Sequence, residues 1–537
     1  MRLWSERSIP VGAILLASAA LFALLLALPG QTVTTRYLND LFVILDGAYR
    51  IAAGQVPNQD FHTPLGPFAY YLSAAGYALS GTLGGAMPTA MAVMTVALAL
   101  PMVHILGSRL HPFIALPYGL FLLLIVAVPI NLGETATSLS FAKFYNRIGW
   151  AALGALLVMY LRPESIDRRQ EMLDALCAIA LTLLMLYTKL SYGVVALAFL
   201  HFMLTDRLQR RWIFGTLAIT AVATLIIELI WQSSLAHLAD LRVALDVGGW
   251  VRGTWGQITD HILVNLADYV LLGLFAGIAL HRTRSIRDLL FYGFCAVAGF
   301  LIINQNFQAW GIITLHAAAA VAAETILRAE DHRAGDDRDS WSLAAGARLL
   351  FLALVLPTMI HCLATLGLHS AAASMRAGNA VALPNLEQVR IANLWTWSDY
   401  DAAIAYQDTL REGFDTLAAL NPKPNRIFVL DLANPFSMAL NAPPARGNAP
   451  WLQWGRTLGS TAHVPAENLL ADVQVLMEPK PADSPDAAKA PSSELQALYG
   501  PYIAAHFDPA GETRHWRLLR RRTPSPPQAA LQRDGRS

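Results

Sequence analysis

Long apolar runs recur along this chain, and they constrain its fold more than any other feature. Most are close to the 20 residues or so that a helix needs to cross the hydrocarbon of a bilayer. Only 14% of the residues are charged, against about 25% in a soluble domain. The sequence therefore predicts a polytopic α-helical membrane protein of eleven spans, at 10–30, 88–107, 112–130, 148–162, 173–187, 191–205, 213–232, 262–280, 288–303, 309–327 and 343–366.

Charge and cysteine content argue against a nucleic-acid-binding protein and against a disulfide-rich or metal-binding framework. The net charge of +1 does not favour a nucleic-acid partner. Cys177, Cys295 and Cys362 all lie inside apolar runs, which indicates packing and not a disulfide or metal framework. The first apolar run follows a basic start and is long for a signal peptide, so we interpret it as an uncleaved first span.

The basic loops predict the topology, because cytoplasmic loops are rich in Lys and Arg. With the N-terminus in the cytoplasm, all strongly basic short loops fall inside: "GSRLH", "LRPESIDRRQE", "DRLQRRW", "HRTRSIRD" and "LRAEDHRAGDDRDSW". The outer connections are then 31–87, 131–147, 188–190, 233–261, 304–308 and everything after 367. This scheme requires that residues 66–82, "GPFAYYLSAAGYALSGT", lie at the membrane interface and do not cross.

Composition changes after residue 367, and we predict three regions. Residues 1–367 form the transmembrane domain, with 31–87 as its first outer loop. Residues 376–520 form a small α/β domain on the outer face, with strands in "NRIFVLDL", "DVQVLMEP" and "RHWRLLRR" and helices at 398–420 and 492–507. Residues 521–537 form a disordered tail.

The first outer loop contains the most polar stretch beside a span. Apolar residues at helical spacing over 38–53 predict an amphipathic helix on the bilayer. Asp40 begins this helix, and Asp46, a turn and a half later, is expected at the surface. A turn-rich segment, "GQVPNQDFHTPLGP", follows and carries Asp60 and His62.

This order of elements resembles the membrane-integral GT-C glycosyltransferases, and more closely the bacterial branch related to protein mannosyltransferases and aminoarabinose transferases. Asp40 stands at the first acid of the family's outer-loop pattern. Gly54, Pro57 and Asp60 match its Gly-x-x-Pro-Tyr-x-Asp element, and "TPLGP" its proline turn. The match covers about 30 residues, and Leu41 and Asn58 depart from it, replacing a second acid and a tyrosine.

The resemblance implies an inverting transfer of a hexosyl or pentosyl group from a polyprenyl-phosphate donor to an acceptor on the outer, periplasmic face of a bacterial inner membrane. Asp40 is then the candidate general base, because an acceptor hydroxyl must lose its proton as it attacks. Asp60 is the second catalytic candidate, which orients the acceptor, ligates a metal or fixes the loop. The leaving lipid phosphate needs cationic or metal stabilisation.

The remaining candidates lie at the outer ends of spans. Lys143 and Arg147 precede or begin one span and Lys189 breaks another, which suits contact with the donor phosphate. The candidates for substrate binding are His62, Asn146, Tyr192, Asn304, Asn306 and Trp310. Interface anchoring or plain loop polarity explains several of these residues equally well.

Two other classes of function stay open at this point. A transporter or flippase of lipid-linked saccharides would carry ionisable residues near mid-span, as Asp268 does. A non-catalytic scaffold with the same fold would explain the missing second acid after Asp40. The sequence names neither the sugar nor the acceptor (glycolipid, polysaccharide or protein), and it leaves a divalent metal open without requiring one.

Overall fold

The structure is a computed structural model that describes residues 9–249, 254–306, 308, 310–331, 343–480 and 491–522. Its first part consists of the helices α1 Val11–Ala27, α2 Leu38–Ala52, α3 Pro67–Ser80, α4 Leu83–Arg109, α5 Pro112–Ala127, α6 Phe144–Val158, α7 Arg168–Thr188, α8 Leu190–Met203, α9 Arg210–Trp231, α10 Ser234–Gly248, α11 Trp255–Val264, α12 Leu266–Thr283, α13 Ile286–Asn306, α14 Ile313–Asp331 and α15 Leu343–Ser374. The helices that follow are α16 Trp397–Ala418, α17 Phe436–Ala439, α18 Ala466–Leu469 and α19 Pro491–His506. The strands are β1 Thr32–Thr34, β2 Asn379–Ala380, β3 Val389–Ile391, β4 Ile427–Val429, β5 Val475–Pro479, β6 Phe507–Glu512 and β7 Trp516–Arg521.

Every predicted span forms a helix. Within the described residues, six helices are long and apolar enough to cross a membrane: α4, α7, α9, α12, α13 and α15. Three shorter helices, α1, α5 and α8, are also apolar. The chain is thus a polytopic α-helical membrane protein with a small α/β region after its last span.

The basic loops meet at one end of the helices. Four ion pairs join helix termini and the loops beside them at this end: Arg109–Asp174 at 2.6 Å, Arg162–Asp206 at 3.0 Å, Arg287–Asp206 at 3.2 Å and Arg282–Glu330 at 3.7 Å. Asp174 and Asp206 are almost fully buried, and each carboxylate accepts hydrogen bonds from several side chains. This end, the basic face, matches the side on which the loop charges were predicted to gather.

The other connections meet at the opposite end, here called the loop face. Helix α3 starts at Gly66, whose N–H donates to the Thr188 carbonyl at the end of α7. Helix α4, which follows α3 directly, starts beside β1, where Thr32 Oγ1 donates to the Gly84 carbonyl at 2.6 Å. Both ends of α3 therefore lie on the loop face, and the expectation that residues 66–82 do not cross is met by its position.

Two sheets build the region after the last span. β1 from the first loop pairs in parallel with β3, which pairs antiparallel with β2. The second sheet has the order β4-β5-β7-β6, with β4 and β5 parallel and the other pairs antiparallel. All three predicted strands are present, as β4, β5 and β7, and both predicted helices are present, as α16 and α19. Because β1 completes a sheet with β3, the first outer loop and the chain after residue 367 share one structure.

Helix α2 differs from the expectation of a helix lying on the bilayer with Asp46 at its surface. Asp46 and Arg50 are both fully buried and form an ion pair at 2.8 Å. Arg50 also donates to the Ala445 carbonyl at 2.9 Å, and Gln55 donates to Pro444 at 2.8 Å. The segment 442–458, here called the strap, therefore covers the face of α2 that hydrophobic periodicity assigned to solvent.

Two helices in the loop 233–261 were not predicted. α10 and α11 expose large apolar side chains, among them Leu235 at 81% and Trp255 at 85%. This short, mixed pattern lacks the long apolar run that marked the spans, which is why sequence reasoning treated the segment as a loop. Most of the predicted disordered tail, from residue 523 on, lies outside the described residues.

We predict that Arg50→Met lowers the apparent melting temperature of the detergent-solubilised protein strongly. It leaves the Asp46 carboxylate buried without its partner, which costs about 3–5 kcal/mol. Arg242→Met is the matched control, because the Arg242–Asp246 pair is largely exposed, at 83% and 54% of the two side chains, and such pairs contribute about 1 kcal/mol or less. Equal melting temperatures for the two variants would contradict the proposed role of the buried pair.

Candidate functional site

Asp40 lies in the first turn of α2, at a sharply turned start of the helix. The preceding Tyr37 adopts a left-handed conformation with φ of 58°, which a non-glycine residue takes up only at an energetic cost. Asp40 forms no hydrogen bond or ion pair with any residue that the structure describes, and its side chain is partly exposed. Burial raises the pKa of Asp40, while the charges of Arg456 and Lys143 act in the opposite direction. The site thus holds an unengaged carboxylate whose affinity for a proton is increased.

Lys143 faces Asp40 from the start of α6 and is also left-handed, with φ of 54°. Its ammonium lies 5.9 Å from the centre of the Tyr37 ring. Burial lowers the pKa of Lys143, the charge of Arg456 adds to this, and Glu134 and Asp40 oppose it. Glu134 in turn accepts a hydrogen bond from the Tyr37 hydroxyl at 2.6 Å.

A cavity of about 110 Å³ lies beside these groups. Its lining is mostly polar and comprises Tyr37, Asn131, Leu132, Glu134, Lys143, Asn146, Arg147 and Gln308. Arg147 is 1% exposed and donates through Nη1 to the Ile130 carbonyl at 2.7 Å. Its Nε and Nη2 have no hydrogen-bond partner among the described residues. Because an unpaired buried guanidinium is costly, these donors suit an anion entering the cavity.

Lys189 lies where α7 breaks into α8, as the sequence predicted. Its ammonium donates to Asn146 Oδ1 at 3.1 Å and to Asn306 Oδ1, and it lies 5.3 Å from the Tyr145 ring centre. Asn306 donates to the Tyr192 hydroxyl at 3.2 Å. The structure therefore brings four sequence-predicted residues, from three helices and the break between α7 and α8, into one hydrogen-bonded cluster.

Close packing fixes this cluster. A Cβ on Gly149 would lie 2.6 Å from the Tyr192 ring, so only glycine allows α6 and α8 to approach so closely. Tyr192 is fully buried and contacts Trp150 edge-on, with ring centres 5.2 Å apart. Asn146, next to Arg147 on α6, joins the cluster to the cavity.

Asn304 and Trp310 lie outside both the cavity lining and the hydrogen-bonded cluster around Lys189. Asn304 is 1% exposed, and neither atom of its amide has a partner among the described residues. The Trp310 ring lies edge-on to His316 with centres 5.8 Å apart, and the Trp310 carbonyl accepts from Gln308 at 2.7 Å. Trp310 thus supports Gln308, which lines the cavity; the cavity lining itself does not include Trp310.

Asp60, the second catalytic candidate, is engaged in holding the loop. One carboxylate oxygen accepts from the Val56 N–H at 2.8 Å, and the other pairs with Arg446 of the strap at 2.7 Å. No hydrogen bond or ion pair joins Asp60 to Asp40 among the residues described. This geometry favours the loop-fixing alternative over direct handling of the acceptor.

His62 is likewise part of a junction. Its Nδ1 lies 2.7 Å from the Asp240 carboxylate on α10, which also accepts from Asn58 and from the Thr63 N–H. The His62 N–H donates to the Asn448 carbonyl of the strap at 2.8 Å. His62 therefore ties the first loop to α10 and to the strap.

Arg456 and Glu134 are functional candidates that the sequence analysis missed. Arg456 lies in the strap, over the Trp451 ring at 4.8 Å, and its charge acts on both Asp40 and Lys143. Its separation from Asp40 by more than four hundred positions gives no sequence signal. Glu134 had the weak signal of an acid beside a span, in the same loop as Lys143.

The arrangement combines a carboxylate that can accept a proton with several cations beside a small polar cavity. That combination can bind an anionic group while a neighbouring hydroxyl is deprotonated. Among the described residues, no group of three or more His, Cys, Asp or Glu side chains is placed to hold a metal ion.

No protein-family model matches the chain, and no curated protein matches it. Among solved structures, the chain is similar to ArnT from Cupriavidus metallidurans in the apo state, with a TM-score of 0.46, 14% identity, and coverage of 94% of this chain and 97% of that one. The same protein bound to undecaprenyl phosphate gives a TM-score of 0.46 at 13% identity, with the same coverage. An oligosaccharyltransferase from Archaeoglobus fulgidus, in complex with Zn and sulfate, gives a TM-score of 0.38 at 13% identity, covering 94% of this chain and 72% of that one.

These solved structures belong to the GT-C class that the first outer loop of this chain resembles. At such low identity and TM-scores, the likeness does not define a reaction for this chain. The residues of the site have to supply the chemical argument.

We predict that Arg147→Met costs far less stability than Arg109→Met. Both arginines are 1% exposed, but the Arg109 side chain donates to Leu161, Ser108 and Asp174, whereas two Arg147 nitrogens lack partners among the described residues. Breaking a satisfied buried pair costs about 3–5 kcal/mol, while removing an unsatisfied buried charge also relieves a desolvation penalty. Melting curves of the two variants in one detergent measure the difference; a larger loss for Arg147→Met would show that Arg147 is a structural residue.

Proposed function

We propose that this protein is an integral-membrane glycosyltransferase. It moves a sugar from a polyprenyl-phosphate donor to an acceptor hydroxyl on the loop face, with inversion at the anomeric carbon. The observation that carries the proposal is the unengaged carboxylate of Asp40 near a cavity lined by Arg147, whose buried Nε and Nη2 have no partner among the described residues. The solved ArnT structure with undecaprenyl phosphate shows that a chain of similar architecture binds such a lipid.

The proposed step assigns each bond and charge. The acceptor oxygen attacks the anomeric carbon, and its proton passes to the Asp40 carboxylate. The bond between the anomeric carbon and the phosphate oxygen breaks, and its electron pair stays on the polyprenyl phosphate. The two free donors of Arg147, with Lys143 nearby, stabilise the charge that grows on that phosphate.

The Lys189 cluster forms the second part of the donor site in this proposal. Lys189 donates to two amides and lies near an aromatic ring, and these contacts hold its positive charge at the break between α7 and α8. Asn146 links it to Arg147 along α6. The buried amide of Asn304, which has no partner among the described residues, could be satisfied by a sugar hydroxyl or an ordered water.

We further propose that the loop face is periplasmic and that the membrane is a bacterial inner membrane, with the N-terminus in the cytoplasm. The basic face supports this orientation through the positive-inside rule. The division into a transmembrane domain at 1–367 and an outer domain at 376–520 belongs to the same proposal. The sugar and the acceptor are not specified by these residues.

A structure of the protein with undecaprenyl phosphate tests the donor site directly. We expect the phosphate to contact Arg147 Nε or Nη2 and to lie within reach of Lys143. A phosphate bound elsewhere, or no bound lipid at saturating concentration, would overturn the donor assignment.

We predict that Asp40→Asn lowers transfer by about 10²–10⁴-fold, the usual contribution of a general base. Asp60→Asn is expected to have a milder effect, because its role is to hold the loop. The assay measures release of undecaprenyl phosphate from a panel of undecaprenyl-phosphate sugars in nanodiscs. Asp415→Asn, at an exposed site on α16, is the control for loss of a carboxylate. Full activity of Asp40→Asn, with unchanged folding, would remove Asp40 from the mechanism.

We predict that Arg456→Gln moves the acidic limb of the pH profile of kcat/KM to higher pH. Asp40 must be deprotonated to act as the base, so activity falls as the pH drops through its pKa. The charge of Arg456 lowers that pKa, and its removal therefore raises it. Arg242→Gln, on the exposed part of α10, is expected to leave the profile in place. A shift to lower pH would contradict the electrostatic link between the strap and Asp40.

A further inference from the structure

Two turns of the basic face are joined through the Asp206 carboxylate. The segment 204–211 contains the turn from α8 to α9, and the segment 283–288 contains the turn from α12 to α13. Asp206 is 2% exposed and accepts from Arg162 through two nitrogens, at 3.0 Å each, and from Arg287 at 3.2 Å. Since Arg287 reaches Asp206 from the other segment, the two turns lie side by side.

The carboxylates of these two segments are already engaged. Asp206 faces the two guanidinium groups just described. Asp288, in the first turn of α13, accepts from Thr283 at 2.7 Å and from the Tyr160 hydroxyl. Neither segment contains another Asp or Glu that could neutralise further arginines.

Three arginines of these segments have no charged partner in the described part of the chain. Arg207, Arg211 and Arg284 are exposed, and none of their side chains forms an ion pair or a hydrogen bond with a residue that the structure describes. Arg210 donates through Nε to the Leu204 carbonyl at 3.2 Å, which is an uncharged partner. The two turns thus present a surplus of positive charge at one place on the basic face.

The start of α9 makes this surplus more unusual. α9 has 22 residues, no acidic residue in its first turn and no side-chain cap. The first N–H groups of a helix carry partial positive charge, so cations are unfavourable there and anions are favourable. Arg210 and Arg211 nevertheless occupy the first two positions of α9. A bound anion at this point would offset the repulsion between these charges and the helix N-terminus.

Exposed apolar side chains flank the arginines. Leu208 is 53% exposed, Phe214 59%, Ile286 76% and Leu289 56%. α9 and α13 are both long and apolar enough to cross a membrane, so these side chains continue the surface that the acyl chains of a bilayer cover. The arginines therefore stand at the boundary between acyl chains and water, where lipid phosphates lie.

From these contacts we propose that Arg207, Arg211 and Arg284 form a binding site for the phosphate of an anionic phospholipid. Their guanidinium groups bind the phosphate oxygens through charge-assisted hydrogen bonds, and the N-terminus of α9 adds its dipole. The acyl chains pack against the exposed apolar side chains of α9 and α13. The inference is independent of the glycosyl transfer proposed above, because it concerns the opposite end of the helices.

A neighbouring basic segment differs in the two features that favour an anion. Arg168 and Arg169 start α7 on the same face. Asp167 caps that helix by accepting from the Gln170 N–H at 2.8 Å, and Glu171 lies in its first turn. Because acids already satisfy this helix start, its two arginines serve as the comparison for the proposed site.

Thermal unfolding of the full-length protein in dodecylmaltoside micelles tests the site, with dioleoylphosphatidylglycerol or dioleoylphosphatidylcholine added in increasing mole fraction. We expect only phosphatidylglycerol to raise the wild-type melting temperature along a saturable curve. In Arg207→Gln/Arg211→Gln/Arg284→Gln, the midpoint of that curve is expected at a mole fraction at least about fivefold higher, which is the effect of one arginine on affinity for an anionic lipid surface. Arg168→Gln/Arg169→Gln/Arg242→Gln removes the same charge from exposed positions and is expected to follow the wild type.

Four results would overturn the inference: an equal response of the wild type to both lipids, a wild-type midpoint in the arginine variant, an equal loss in the control variant, or the same saturable stabilisation by inorganic phosphate at matched ionic strength. The last result would assign the site to a soluble anion. Each melting temperature is compared with that of the same protein in phosphatidylcholine, so a general loss of stability does not imitate a loss of lipid binding.

Native mass spectrometry gives a second readout that does not depend on melting. The three proteins are released from micelles that contain equal amounts of the two lipids. Retention of phosphatidylglycerol by the wild type and the control, with loss in the arginine variant, supports the site. Equal retention by all three proteins contradicts it.

Discussion

The buried guanidinium of Arg50 is the interaction on which the outer layer of this protein depends. It neutralises Asp46 in the middle of α2 and at the same time donates to the strap at Ala445. Because both charged groups are fully buried, neither can relax toward water if its partner is lost. The first loop is therefore fixed against the region that follows the last span, and β1 strengthens the link by completing a sheet with β3. The strap that Arg50 holds also carries Arg456, whose charge acts on Asp40.

The candidate site, in contrast, contains features that destabilise a fold: buried donors that lack partners in the described part of the chain and residues in a strained backbone conformation. Arg147 holds two buried donors without partners among the described residues, and Tyr37 and Lys143 are both left-handed at the starts of helices. On the basic face, by contrast, buried arginines such as Arg109 are well paired. The two ends of the helices thus differ in their buried arginines, since Arg109 is paired internally whereas Arg147 keeps two nitrogens without partners among the described residues.

How far sequence alone reaches can be seen at individual residues. The helix break at Lys189 followed from a polar interruption of a long apolar run, and Asn146, Tyr192 and Asn306 were candidates because they lie at the ends of such runs. The burial of Asp46 did not follow, because helical periodicity identifies one apolar face and cannot show that a distant segment covers the other. The roles of Asp60 and His62 as loop anchors were equally hidden, since their partners Arg446 and Asp240 are remote in the chain.

The sequence by itself determined the membrane class, the positions of the spans and the two polar ends, because these depend on local runs of hydrophobicity and on loop charge. Bilayer thickness and the positive-inside rule turn such local patterns into architecture without any knowledge of packing. Only the tertiary structure decided which polar residues share a cavity, which carboxylate is left unengaged, and that the strap brings Arg456 to Asp40. Those outcomes depend on contacts between segments separated by hundreds of residues, and no local pattern encodes such contacts.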